Sequence, residues 1–94
     1  MLDKMKQLWD MKKKMEEIKK ELDGLVLESE DNFVKVAITG SQEIKAVTIK
    51  VDLATADKAK LEAALTDTVS RAVRESQKAA AQKMSALGGL PGLA

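Results

Sequence analysis

Arg71, Arg74 and Lys78 follow one another at spacings of three and four. On a helix that spacing lines three cations up in one stripe. Lys12 and Lys19 are seven apart, as are Lys13 and Lys20, and each pair shares a side in the same way. Fixed rows of cations bind polyanions, and a guanidinium grips a phosphate bidentately. The competing fate of Arg71 is an intrahelical pair, with Asp67 four before it or Glu75 four after it. Side chains that make and break bonds are scarce. There is no His, Cys or Tyr, which removes the commonest acid–base group, any thiolate and a common proton donor. Metal ligands would have to be carboxylates alone, and no EF-hand-like, Walker-type or dinucleotide-binding glycine loop occurs. Ser70, Ser76 and Ser85 fall in a predicted helix without a base partner and read as polar helix positions. No catalytic residue, metal, cofactor or small-molecule substrate is expected.

The cations need elements to hold them. A chain of 94 residues predicts one domain. So short a chain buries a modest fraction of its surface, and a second copy often completes such a core. Charged residues make up 33%, which suits long solvated helices. No apolar run reaches the roughly 20 residues of a membrane span. The charged N-terminus lacks the apolar core of a secretory signal. A cytoplasmic protein without membrane contact is the expectation.

Residues 2 to about 23 predict a helix. Met1, Leu8, Met15 and Leu22 are seven apart, as are Met11, Ile18 and Leu25, and together they form a heptad seam. Met5 and Trp9 widen it. Lysines and glutamates fill the opposite face, and Glu16 precedes Lys20 by four, the favourable order for a pair. Such a helix spans about 33 Å. One small domain cannot cover that length, so the seam requires either the other long helix or another chain. Gly24 is placed to end it.

"LVLE" then predicts a first strand and "SEDN" a turn. Val34, Val36 and Ile38 alternate with Lys35, Ala37 and Thr39. After "GSQE", Val47, Ile49 and Val51 alternate with Ala46, Thr48 and Lys50. Period-two alternation marks a half-buried antiparallel sheet, whose aliphatic face should meet the helices. From about Asp57 to Leu87 an apolar face through Leu61, Leu65, Val69, Ala72, Val73, Ala80 and Met84 predicts a second helix. The predicted fold is α+β, a helix, a three-stranded meander and a helix (α-β-β-β-α), dimeric with projecting helices. Residues 1–87 form the domain, and 88–94 a flexible Gly/Pro tail. Core or dimer contacts are expected at Met11, Met15, Ile18, Leu22, Val36, Ile38, Val47 and Ile49.

Charge is unevenly spread over this order. Residues 1–24 hold seven basic and six acidic groups, residues 25–52 three and five, and residues 53–94 six and four. The sheet is net acidic and both helical ends net basic. A clamp on phosphates would want that distribution.

The run "GLVLES", then "FVKVAITGSQEIKAVTIKVD", then an alanine-rich helix and "GGLPG" resembles the YbaB/EbfC family of bacterial nucleoid-associated proteins over nearly the whole chain. The hairpin matches the family pattern V-x-V-x-x-x-G-x-x-x-(V/I)-x-x-(V/I)-x-(V/I). The resemblance implies an α-β-β-β-α homodimer joined through the sheet region, with helices projecting like tweezers. It also implies double-stranded DNA as partner, no enzymatic activity, and a place on the nucleoid in the cytoplasm. Leu53 stands where many relatives have Pro, and "ESEDN" replaces a glycine-rich run; both changes fall in loops.

DNA contacts are expected at Lys12, Lys13, Lys19, Lys20, Arg71, Arg74 and Lys78. Asn and Gln, the usual base readers, are sparse and no recognition-helix signature occurs, so backbone and shape should dominate. The competing reading is a dimeric protein-interaction adaptor or holdase-like module, since methionine-rich stripes also line promiscuous protein-binding surfaces.

Overall fold

The lysine-, glutamate- and alanine-rich ends form helices and the β-branched middle forms strands, as their propensities favour. A computed structural model describes residues 2–86. Its elements are α1 (Leu2–Gly24), β1 (Val26–Glu30), β2 (Val34–Thr39), β3 (Ile44–Ile49) and α2 (Lys58–Ala86). The strands make one antiparallel meander with β2 at its centre. This is the expected α-β-β-β-α order; Leu87 and the tail at 88–94 lie outside the described residues.

Two strand boundaries differ from expectation. β1 runs on to Glu30 because the turn starts at Asp31. Asp31 Oδ1 accepts from the N–H groups of Phe33 at 2.7 Å and Val34 at 2.9 Å, a side chain mimicking a backbone turn. β3 ends at Ile49 and not at Val51, and within it Ala37 pairs with Ala46 while Ile38 pairs with Ile44, leaving Lys45 as a bulge.

Leu27 faces Ile38, Val36 faces Val47 and Val34 faces Ile49 across the ladder, so these side chains share one face of the sheet. α2 lies over β1 and β2. Val36, Ile38 and Ala72 form the buried centre, with Leu27, Val69 and Val73 packed against it. The helix does not reach β3. Ile44, Val47 and Ile49 stay 45–47% exposed, which corrects the expectation that the whole aliphatic face meets the helices. Val47 and Ile49 are not part of the chain's own core.

The line that α2 buries most deeply is Thr68, Ala72 and Ser76, four residues apart and hence stacked on one side. Ser76 is therefore not a solvated helix position. Its Oγ donates to the Thr39 carbonyl at 2.7 Å and accepts from Gln42 N–H at 3.1 Å. Asp57 caps the helix start, its Oδ1 accepting from Lys60 N–H at 3.1 Å.

Among the described residues, α1 meets the rest of the chain through its C-terminal half. Ile18 and Leu22 are buried. The Leu22 carbonyl accepts from Gly40 N–H at 2.9 Å, closing the helix end onto the β2–β3 turn. A Cβ at Gly40 would stand 3.1 Å from Leu22 O and 3.2 Å from Leu22 Cα, so a side chain there would have to push the Leu22 backbone back. Of the seam, Met11 is half-buried and Met15 lies at its edge. Leu2, Met5, Leu8 and Trp9 stand in solvent as α1 runs outward. The molecule is 67 Å long against 22 and 16 Å across.

Candidate nucleic-acid interface

The cations divide by what holds them. In the sheet and its loops, every lysine is paired. Lys35 meets Glu28 at 2.8 Å, Lys50 meets Glu30 at 3.0 Å, and Lys45 meets Glu43 at 3.7 Å. The Lys50 ammonium holds the Glu30 carboxyl below its ordinary value, chiefly by hydrogen bonding, and Glu28 raises Lys35 in the same way.

On α1 the pattern is the reverse. Lys12, Lys13, Lys19 and Lys20 are all exposed. Among the described residues none of them forms an ion pair within 4.0 Å, and neither do Lys4, Lys6 and Lys14. The expected Glu16–Lys20 pair is not formed. Instead Glu21 reaches across to Lys83 of α2 at 3.1 Å, because the two helices lie side by side there. Lys12, Glu16 and Lys19 edge an apolar groove floored by Met15, Ile18, Leu22, Ala80 and Met84.

On α2 the expected stripe separates into different roles. Arg71 Nε donates to Asp67 at 3.2 Å, while its Nη2 donates to Thr68 Oγ1 at 3.3 Å and to the Glu30 carbonyl at 3.5 Å. The intrahelical partner is thus Asp67 and not Glu75, and the guanidinium ties α2 to the end of β1. Arg74 is exposed and shares with Arg71 a cleft of about 450 Å³ beside β1, whose walls include Glu28, Glu30 and Glu75. Of those carboxylates, Glu28 is already paired with Lys35 and Glu30 with Lys50. Lys78 is exposed further along the helix. The arginine cleft and the lysine-edged groove of α1 are separate places.

The outer half of the α1 seam is left open by the rest of the described chain. Trp9 widens the seam in the sequence, yet it is 64% exposed and stands beside Lys12 and Lys13. Lysines on both sides of it at helical spacing were the available signal. Among the described residues no group of three carboxylates is placed to hold a metal ion, and no described helix is long and apolar enough to cross a membrane.

Fold and charge together describe a small binding module that carries its unpaired cations on a helical arm. Over residues 1–90 the sequence matches the YbaB/EbfC DNA-binding family. It is also 32% identical, over 96 aligned residues, to a nucleoid-associated protein of Ruminiclostridium cellulolyticum, with 95% of this chain and 84% of that protein covered. The chain belongs to the YbaB/EbfC DNA-binding family, a family of nucleoid-associated proteins and not of enzymes.

Proposed function

We propose that this protein binds duplex DNA as a homodimer, with little sequence preference, through lysines on its projecting helices. The observation that carries the reading is the contrast between the paired lysines of the sheet and the unpaired lysines of α1. Phosphate contacts draw on cations that are not already neutralised. Lys12, Lys13, Lys19 and Lys20 lead the contacts, with Lys78 and Arg74 adding to them. Arg71 contributes by holding α2 against β1. The protein acts on the nucleoid in the cytoplasm and alters DNA conformation by wrapping its arms on the duplex.

Dimerisation is supported by β3. It is a sheet edge whose apolar row, Ile44, Val47 and Ile49, lies open. Such an edge invites pairing with another chain, and a second copy would cover the row. The domain proper is residues 1–87.

The test is binding of the purified chain to a labelled duplex over a salt series, beside scrambled duplexes, with dimer mass checked by light scattering. The expected result is a linear fall of log affinity with log salt and similar binding by every sequence. Absence of binding at low salt, where electrostatic attraction is least screened, would replace this reading with the protein-interaction module that the exposed Met5, Leu8 and Trp9 could serve.

A further inference from the structure

We propose that Trp9 is a nucleobase-contacting wedge. Its indole, with Met5 one turn before it, enters the duplex while neighbouring lysines hold the phosphates. The inference rests on the duplex-binding reading above and names a contact of that same surface.

Helical spacing sets the arrangement. Lys6 is three before Trp9, Lys12 three after and Lys13 four after, so all three lie around the ring on one side of α1. Trp9 lines one shallow cavity with Lys12, Lys13 and Glu16, and a second with Met5, Leu8 and Lys12. The residue is 64% exposed and Met5 69%, on the part of α1 that projects past α2. Large apolar groups standing in water inside a polar rim mark a site of association.

Charge decides between occupants. A second copy docking an apolar seam here would bring an α1 with seven basic and six acidic groups of its own against three lysines that have no ion pair among the described residues, and so offers them no net opposite charge. A nucleic acid offers a complement to the ammonium groups and to the ring, with Glu16 the one carboxylate lining the same cavity. Phosphates meet the ammonium groups, and the faces of bases meet the ring. Apolar side chains set among cations serve as wedges in this way, parting a base step and bending the duplex.

Trp9 is the chain's one tryptophan, so its fluorescence reports on this position alone. The experiment titrates the full-length chain with a short duplex while following indole emission and acrylamide quenching. Emission should change and quencher access should fall as DNA binds. Trp9→Ala should weaken binding about tenfold and reduce DNA bending measured by end-to-end energy transfer. Its salt slope should match the wild type, because an uncharged ring neutralises no phosphate. Trp9→Phe should restore most of the affinity. The proposal is overturned if the duplex binds with indole emission and Trp9→Ala affinity both unchanged. It is equally overturned if the ring is shielded from acrylamide before DNA is added and Trp9→Ala dissolves the dimer, since the ring then serves contact between copies. Failure of the duplex-binding reading itself looks different: no DNA binds at low salt, with or without the ring.

Discussion

The hydroxyl of Ser76 donates to the carbonyl oxygen of Thr39 across 2.7 Å, joining the middle of α2 to the end of β2 where neither residue meets solvent. The same hydroxyl accepts from Gln42 N–H, so one side chain serves both a strand end and the turn beyond it. Gln42 needs that support, since its φ of 67° puts a non-glycine residue in the left-handed region. Replacing Ser76 by Ala removes the hydroxyl from a buried site and should cost about 1–3 kcal/mol. Urea unfolding at fixed protein concentration reads the loss; a midpoint unchanged from wild type would show that the bond contributes nothing net.

Gly40→Ala tests the closure of α1 onto the hairpin. The new methyl group would lie 2.8 Å from Leu22 Cδ2 and press on the Leu22 backbone. The side-chain tip can swing aside, but the Leu22 backbone must also give by a few tenths of an ångström, so a loss of about 1–3 kcal/mol is expected. Gly24→Ala is the control, since nothing lies within 4 Å of its added Cβ. Thermal melts of the two variants should separate clearly.

Removing charge from α1 and from the sheet should affect DNA differently. Lys12→Ala with Lys13→Ala should lower the salt slope of duplex binding by about 0.9 for each phosphate that is no longer neutralised. Lys35→Ala with Lys45→Ala should leave the slope almost unchanged, because those ammonium groups already face Glu28 and Glu43. Equal effects from the two pairs would remove the basis for placing DNA on α1. Arg71→Ala should instead act mainly on stability. Its Asp67 pair is partly exposed, so a loss of about 0.5–1 kcal/mol is expected.

Acid should weaken the β1–β2 turn. The Val34 and Phe33 N–H groups, with smaller help from Arg71, hold the Asp31 carboxyl below its ordinary value of 3.8. A carboxyl depressed by folding adds stability that is fully present above the unfolded value and lost as pH falls through the folded one. Asp31→Asn keeps the acceptor oxygen but not its charge. Wild type should therefore melt higher than the variant at pH 7, and the gap should close below about pH 4. Parallel curves down to pH 2 would contradict the assignment.

The open row on β3 makes a prediction about mass. Val47→Asp should turn a dimer into a monomer by light scattering while leaving circular dichroism intact, because Val47 is 46% exposed and outside the chain's own core. Val36→Asp, at a buried position, should unfold the chain instead.

The periodicities of this sequence determine a great deal on their own. Alternation from Val34 to Ile49 specifies the hairpin, and apolar spacing specifies both helices, because each pattern depends only on the geometry of its own element. The lack of His, Cys and Tyr and the seven lysines of residues 1–24 are equally plain in the sequence. Tertiary structure decided what depends on the placing of one element against another. Val36 and Val47 carry the same side chain in the same alternation and face each other across the ladder. One is buried and the other open, because α2 covers two strands and not the third. Ser76 looks like any polar helix residue until Thr39 is set beside it. Arg71 and Arg74 look equivalent until Asp67, Thr68 and the Glu30 carbonyl engage one of them. Trp9 continues an apolar seam in the sequence, yet among the described residues α1 runs past the surface that covers Ile18 and Leu22. A periodic pattern records which side of an element is apolar, whereas only the packing of elements settles how far along that side a partner extends.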